Sequence, residues 1–319
     1  MTQPSPRKEL DTDKNEWAVI LAGGDGTRLK SLTRKIAGDE RPKQFCSVLG
    51  AATLLEETHR RTALQLARER TLYVVNRNHR PFYEPLLGDE PKTSLVVQPR
   101  NIGTAPAILY SLLKIAALEP SAIVALFPSD HYISDNGRFM SHIRIALDTA
   151  RHNPEIIILL GVEPESPEVE YGWIEPTGAT KGHPRVFGVR RFWEKPRQML
   201  AQVLQLRGCL WNSFVMVASA RALLEIIESA VPDLYRAFAS VQALFHTRAE
   251  DRAIERVYQR FEEINFSHRV LALHPERLAV LKVSGVRWND LGEPKRVIAS
   301  LDMAGIQPHW LDSAEPQID

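Results

Sequence analysis

Five short apolar, β-branched runs constrain the fold of this chain more than any other feature: Trp17–Ala22, Thr71–Asn76, Ser94–Gln98, Ile123–Pro128 and Ile156–Val162. Between them lie stretches with helical spacing, Thr53–Arg70, Ala105–Leu118 and Gly137–His152. Strand and helix alternating in this way predict an α/β fold, a mostly parallel sheet sandwiched by helices, because parallel strands need a long crossover and a helix supplies it. In such sheets ligands sit beyond the carboxyl ends of strands. Three polar segments fall at such ends: the loop after Leu21, Gln98–Thr104, and Ser129–Asp130. After about residue 163 the pattern changes. Arg185–Trp193, Leu210–Ser219, Val270–His274 and Leu278–Val286 read as strands around one helical block, Ala220–Gln259, which predicts a second, smaller mixed α/β lobe. Val297–Met303 reads as a last short helix. The expected organisation is a disordered tail over 1–14, one domain over 15–300 with lobes meeting near residue 162, and a C-terminal tail over 301–319.

The first apolar run leads directly into Leu21-Ala22-Gly23-Gly24-Asp25-Gly26-Thr27-Arg28-Leu29, and Arg41-Pro42-Lys43-Gln44-Phe45 follows. Three glycines in four positions leave backbone with no side chain to block an approaching ligand, so its amides can converge on an anion. Arg28 and Lys43 add fixed positive charge. The combination points to a nucleoside triphosphate site; the plainer reading is a Gly-rich turn with two solvated cations. The loop is not Gly-x-Gly-x-x-Gly and does not end in Gly-Lys-Ser/Thr, which excludes the dinucleotide fingerprint and the P-loop.

With 40 basic and 39 acidic residues the formal charge is +1, so no bulk field draws nucleic acid. Cys46 and Cys209 are too few for a disulfide framework or a Cys-based zinc site, and they fit a reducing cytoplasm. No apolar run approaches the roughly 20 residues that span a bilayer. The first 14 residues lack the apolar core of a signal peptide.

Further words extend the glycine loop and Arg-Pro-Lys-Gln-Phe in a fixed order: Thr-Ala-Pro-Ala from Thr104, Pro-Ser-Asp-His from Pro128 and Tyr-Gly-Trp-Ile from Tyr171. Trp-Glu-Lys-Pro from Trp193, Leu-Trp-Asn-Ser from Leu210 and Trp-Asn-Asp-Leu-Gly from Trp288 complete the set. Together the eight resemble the sugar-1-phosphate nucleotidyltransferases, and within them the mannose-1-phosphate guanylyltransferases (GDP-mannose pyrophosphorylases) of the short bacterial type. The resemblance runs from about Trp17 to about Val297. It implies a Rossmann-like fold and a reaction in which a sugar 1-phosphate, here mannose 1-phosphate, attacks the α-phosphorus of GTP to give GDP-mannose and pyrophosphate. Such chemistry rests on positioning, charge neutralisation and a bridging metal, here Mg²⁺. No hexapeptide repeat is visible, so no left-handed β-helix is expected.

What the resemblance implies for single residues can be set beside what their types allow. Leu21, Ala22, Gly23, Gly24, Gly26 and Thr27, with Gln98, Asn101 and Thr104, would hold the nucleotide. Arg28 and Lys43 would hold the triphosphate and stabilise the leaving pyrophosphate. Asp130, at the lip of a very apolar run, and Asp290 would bind Mg²⁺; either could instead cap a turn. His131 reads as a supporting or packing residue, because Mg²⁺ prefers oxygen. Lys195 would reach the sugar phosphate and Glu194 the sugar hydroxyls, against the plainer reading of a solvated pair at a strand end. Asn212 would contact the sugar, and Gly172 would let the backbone approach it. Two departures from the family pattern stand out. The segment Gln98-Pro-Arg-Asn-Ile-Gly-Thr104 replaces Glu-Pro-x-Gly-Arg-Asn-Thr over the base, with Arg100 and Asn101 shifted. Phe214-Val215 stands where Gly-Met is usual, and a bulky Phe214 would narrow or repack the sugar pocket. The alternatives are transfer to another sugar phosphate or base, such as glucose 1-phosphate, and a non-catalytic sugar-nucleotide sensor. The apolar positions of Ala220–Tyr258 suit a homodimer interface as readily as a core.

Overall fold

The computed structural model describes residues 15–179 and 184–312; the expected tail over 1–14 lies outside them. Its strands are β1 (Glu16–Leu21), β2 (Thr71–Asn76), β3 (Leu95–Gln98), β4 (Ile123–Pro128), β5 (Tyr132–Ile133), β6 (Ile157–Val162), β7 (Gly172–Ala179), β8 (Val186–Glu194), β9 (Leu210–Ser219), β10 (Leu278–Val283) and β11 (Trp288–Asn289). Its helices are α1 (Lys30–Ala37), α2 (Leu54–Thr62), α3 (Arg80–Leu87), α4 (Thr104–Leu118), α5 (Asn136–His152), α6 (Gln198–Leu206), α7 (Ala220–Ala230), α8 (Pro232–Ala239), α9 (Glu250–Tyr258), α10 (Phe266–Arg269), α11 (Pro294–Ala304) and α12 (His309–Asp312).

Nine strands form one sheet in the order β3-β2-β1-β4-β9-β6-β10-β8-β7, and β5 pairs with β11 in a separate two-stranded ribbon. β3, β2, β1 and β4 are parallel, as the alternation of runs predicts. The other half is mixed: β9 runs antiparallel to both β4 and β6, β6 and β10 are parallel, and β8 and β7 are antiparallel. β6 sits between β9 and β10, so the sheet runs unbroken across residue 162.

Successive residues of the central strands point to opposite faces, and both faces are covered. Val19, Val124 and Leu126 meet α4, α7 and α8 through Ile108, Leu112, Leu223, Ile227 and Phe238. Ala18, Ala125 and Phe127 meet α5 and α6 through Phe139, Ile143, Leu147 and Leu204. The apolar positions of Ala220–Tyr258 belong to the first of these clusters, where Leu223, Ile227, Phe238 and Tyr258 are buried within the single chain. That block is three helices, not one: Pro232 opens α8 at a position where its missing N–H costs nothing, and a 3₁₀ turn at Gln242–Leu244 precedes α9.

Three other expectations need correction. Val270–His274 is no strand but holds a short 3₁₀ turn, Leu271–Leu273, after α10, with Val270 and Leu271 buried and Leu273 exposed. The helix over Thr53–Arg70 ends at Thr62; its start is fixed by a capping box between Thr53 and Glu56. Residues 301–312 are not a bare tail: Leu301 and Trp310 pack with Leu29, Cys46, Leu54 and Tyr132 beside the glycine loop.

Candidate active site

Strand register brings the predicted segments to one edge. Leu21 ends β1 opposite Pro128 at the end of β4, so the glycine loop and Asp130 leave the sheet side by side, and Gln98 ends β3 two strands away. Leu21 is tied to its neighbour by the Ser129 amide and hydroxyl, which donate to its carbonyl at 3.1 and 2.8 Å. The Ala22 amide is spent on Val74 O at 2.7 Å, so it continues the sheet instead of facing a ligand. The cradle begins one residue later: among the described residues the amides of Gly23, Gly24, Asp25 and Gly26 donate no hydrogen bond. Two glycines there stand in close quarters, and at Gly26 the backbone itself requires glycine. A Cβ on Gly23 would lie 2.4 Å from Gln98 Nε2, and Gly26, at φ 59°, would bring one within 3.1 Å of the Pro42 and Lys43 backbone. Gln44, a residue that sequence reasoning passed over although it stands in the Arg-Pro-Lys-Gln-Phe word, holds the loop open. Its side-chain amide donates to Ala22 O at 3.0 Å and Gly24 O at 2.7 Å.

Two cavities flank the loop and share Asp130. One, of about 250 Å³, is lined by Gly26, Thr27, Arg28, Lys43, Asp130 and Gly292. The other, of about 300 Å³, is lined by Leu21, Gly23, Gly24, Gln98, Asn101 and Thr104. Glu263 and Asn265, which no motif had singled out, also line it. Gln98 Oε1 accepts from the Tyr258 hydroxyl at 3.1 Å, and Asn101 bridges Asp25 Oδ2 (2.9 Å) and the Gly103 amide (3.0 Å). Thr104 Oγ1 accepts from the Phe266 amide at 2.9 Å and so ties the start of α4 to α10. Arg100 is not among the residues lining the cavity; its guanidinium donates to the carbonyls of Tyr258, the last residue of α9, and Phe261 just beyond it.

The ribbon carries the two aspartates. Tyr132 faces Asn289 in register, so Asp130 and Asp290 leave the same end of β5 and β11. Asp290 Oδ1 is saturated: it accepts from the Tyr171 hydroxyl (3.1 Å), the Gly292 amide (2.9 Å) and Arg296 Nη1 (3.0 Å). Oδ2 is left facing Arg28 at 4.0 Å. Burial pushes this carboxyl up, but Lys43, His131 and Arg296 together outweigh it and leave its pKa lowered. Lys43 is nearly buried. Its ammonium donates to the carbonyls of Asp290 and Leu291 and lies 3.3 Å from Asp130 Oδ2, so it pins the ribbon to the loop as well as supplying charge. His131 accepts at Nδ1 from Trp288 Nε1 (3.2 Å), which leaves Nε2 as the ring's donor, 3.5 Å from Asp130 Oδ1. Burial, the largest cause, lowers its pKa, while the neighbouring Asp130 pulls the other way.

A third group assembles on β7, β8 and β9. Gly172 lies opposite Glu194, and a Cβ on it would meet Glu194 Oε2 at 3.1 Å and Asn212 Cβ at 3.2 Å. Burial raises the Glu194 pKa, with Lys195 pulling the other way. Asn212 Oδ1 accepts from the Phe214 amide at 3.1 Å across a bulge between β6 and β9, leaving its NH₂ free to donate. Phe214 stands at φ 60°, where glycine is favoured, and it is among the residues lining the 300 Å³ cavity beside the glycine loop. Lys195 (φ 46°) and Leu291 (φ 48°) are similarly strained, so backbone strain gathers around this edge.

Lys195 and Arg28 come from distant parts of the chain and meet on one atom. Glu170 Oε2 lies 3.3 Å from Arg28 Nη1 and 3.4 Å from Lys195 Nζ. Sequence reasoning had not singled out Glu170; the only available signal was its place next to the Tyr171-Gly172 word.

Fold and site together define a class: an α/β protein with a glycine loop of free amides, two carboxylates and cations from both halves of its chain on one sheet edge. Residues 17–302 match the family model described as nucleotidyl transferase, and the chain belongs to that family. It is 30% identical over 220 residues to the alginate biosynthesis protein AlgA of Pseudomonas aeruginosa, covering 68% of this chain and 44% of that protein. It is 31% identical over 228 residues to mannose-1-phosphate guanylyltransferase 2 of Escherichia coli O157:H7, covering 68% of this chain and 46% of that protein. The chain thus matches less than half the length of either relative. Among solved structures, that of mannose-1-phosphate geranyltransferase from Thermus thermophilus superposes with a TM-score of 0.77 at 27% identity, covering 95% of this chain and 81% of that one.

Proposed function

We propose that this protein joins mannose 1-phosphate to GTP, forming GDP-mannose and releasing pyrophosphate. The observation that carries this reading is the meeting of Arg28 and Lys195 on a single oxygen: two cations from opposite halves aim at one spot beside Asp290 Oδ2. A reaction between two phosphorylated substrates needs such a spot. In this reading the free amides from Gly23 to Gly26 and the Arg28 guanidinium hold the triphosphate, and the base enters the cavity between Gln98, Asn101, Thr104 and Asn265. The sugar lies against Gly172, where Glu194 accepts and Asn212 donates hydrogen bonds to its hydroxyls, and Lys195 orients its phosphate. That phosphate oxygen bonds to the α-phosphorus as the bond from the α-phosphorus to the bridging oxygen breaks, and the electron pair leaves with pyrophosphate. Arg28 stabilises the charge that develops.

Mg²⁺ fits the donor set. Asp130 and the unsatisfied Oδ2 of Asp290 are hard oxygen ligands, too few to enclose the ion and suited to share it with substrate oxygens and water. Bound there, Mg²⁺ would neutralise triphosphate charge. Supporting the reading are the family membership and the similarity to proteins named for mannose-1-phosphate chemistry. No helix among the described residues is long and apolar enough to cross a membrane, and both cysteines are buried free thiols, which fits work in the cytoplasm.

The test is a panel of four nucleoside triphosphates against mannose, glucose and fucose 1-phosphates, read by pyrophosphate release with Mg²⁺. The expected result is release above background with GTP and mannose 1-phosphate, falling at least a hundredfold in Arg28→Ala and Asp130→Asn while the thermal midpoint is retained. A preference for another pair would replace the substrates, and near-normal turnover in both variants would sink the site.

A further inference from the structure

The connection between α9 and α10 belongs to no motif, yet its backbone is pinned beside the 300 Å³ cavity. Ile264 is bonded at both backbone groups: its amide donates to Ile102 O at 3.0 Å, and its carbonyl accepts from the Ala105 amide at 3.0 Å. The Phe266 amide donates to Thr104 Oγ1 at 2.9 Å. Between these bonds the two backbones touch at Gly103. Its φ is 88°, and a Cβ on it would lie 2.5 Å from Ile264 O and 2.9 Å from Ile264 N, so only glycine permits the approach. Residues 263–266 are thereby fastened to the start of α4. Side chains alternate along this extended piece: Ile264 packs against the core, while Glu263 and Asn265 on either side of it line the cavity.

What the piece contributes is an acceptor. The side-chain oxygens of Gln98, Asn101, Thr104 and Asn265 each accept a hydrogen bond already, from the Tyr258 hydroxyl and the amides of Gly103, Phe266 and His268. Asp130 also lines the cavity, but it stands 3.3 Å from the Lys43 ammonium. Glu263 alone among the lining side chains has two oxygens with no hydrogen bond or ion pair among the described residues. The NH₂ groups of Gln98 and Asn265 likewise donate to no described residue. An unengaged carboxylate beside unengaged amide donors matches one nucleobase. The Watson–Crick edge of guanine sets two donors side by side, N1–H and N2–H₂, next to the O6 acceptor. Adenine puts a bare acceptor nitrogen at the centre of that edge, which a carboxylate repels. Uracil and thymine offer one N–H between two carbonyls, and cytosine one amino group beside an acceptor nitrogen.

We propose that Glu263 is the residue that selects guanine, its carboxylate accepting from N1–H and N2–H₂ while the Asn265 NH₂ donates to O6. The assignment rests on the function proposed above, in which the base enters this cavity. A carboxylate discriminates in two ways: it rewards the base that donates to it and is left unpaired against one that does not. Hydrogen bonds to a charged group correspond to roughly tenfold to a hundredfold in affinity. Glu263 is exposed, so water competes for it and the lower end of that range applies.

The experiment measures KM for GTP, ITP and ATP by pyrophosphate release, with saturating mannose 1-phosphate and Mg²⁺, in the full chain and two variants. ITP keeps N1–H and O6 and lacks the N2 amino group. The unaltered chain should prefer GTP to ITP. Glu263→Gln should raise KM for GTP about tenfold and KM for ITP by less, drawing the two together, while KM for ATP does not rise and kcat and the thermal midpoint hold. Glu262→Gln, exposed and outside the cavity lining, should leave all three KM values as they are. An unchanged GTP-to-ITP ratio in Glu263→Gln, in a chain that prefers GTP, would overturn the assignment and leave the proposed function standing. An equal loss with all three triphosphates would also overturn it, because a residue that only supports the fold does not distinguish bases. No turnover with GTP, or a preference of the unaltered chain for another triphosphate, would instead count against the proposed function, and the assignment would fall with it.

Discussion

Glu170 holds the spot on which the proposed reaction depends, so removing its charge gives a prediction with a sign. In the free protein its carboxylate stands between Arg28 and Lys195, where a phosphate would bind, and a substrate must displace it. Both cations are about half exposed (52% each) and Glu170 is 36% exposed, so each contact belongs with surface ion pairs, worth about 0.2–1 kcal/mol. Two such contacts give about 0.4–2 kcal/mol, which corresponds to roughly two- to thirtyfold in binding. Glu170→Gln keeps the side-chain volume and removes the charge. It should lower KM for each phosphorylated substrate, by factors whose product falls in that range, measured by pyrophosphate release at low ionic strength. The gain should shrink as salt is raised, because exposed pairs are screened within about 10 Å at 0.1 M. An unchanged or higher KM for both substrates would refute the reasoning. A rise for the sugar phosphate alone would make Glu170 a ligand of the sugar instead of a stand-in for phosphate.

Two further predictions concern single side chains. Glu194 has a raised pKa because burial disfavours its charge, so the folded protein holds this proton to higher pH than the unfolded chain. Stability is then lost as pH rises from the unfolded to the folded pKa and stays lost above it; Glu194→Gln should raise the thermal midpoint at pH 7 and leave it unchanged below about pH 4, where both forms are neutral. A gain that persists in acid would show that charge is not the cause. Gln44→Leu should cost roughly 1–3 kcal/mol in urea unfolding, since it strips partners from the Ala22 and Gly24 carbonyls, and should raise KM for the triphosphate more than for the sugar phosphate; equal effects on the two KM values would count against its role in the loop.

The parts legible in the sequence are those where local chemistry and tertiary structure ask for the same residues. β2 and β4 fall on the predicted residues because runs buried on both faces of a parallel sheet are continuously apolar, and nothing competes with that signal. The glycine loop, too, announces itself: Gly26 sits at φ 59° against the Lys43 backbone, and no other residue fits there without strain. What the sequence concealed depends on contacts between distant segments. β5 and β11 are two residues each and have no periodicity to detect, yet their register decides where Asp130 and Asp290 go. Arg100 looked like part of a base-reading motif, but carbonyls at and just past the end of α9, more than 150 residues away, claim it. Phe214 is the opposite case. The departure from glycine was visible in sequence, but only the φ of 60° explains why glycine is usual, and only the fold shows Phe214 among the residues lining the cavity beside the glycine loop. A non-glycine residue held at such an angle costs on the order of 1–3 kcal/mol and persists where the surroundings over-determine it. Here the Asn212 side chain, accepting from the Phe214 amide, and the Ser213 hydroxyl, bonded to Leu160 O at 2.7 Å, hold the bulge from both sides. The strain therefore fixes Asn212 and Phe214 together, so that a residue facing Gly172 and a residue lining the loop cavity are set by one turn of backbone.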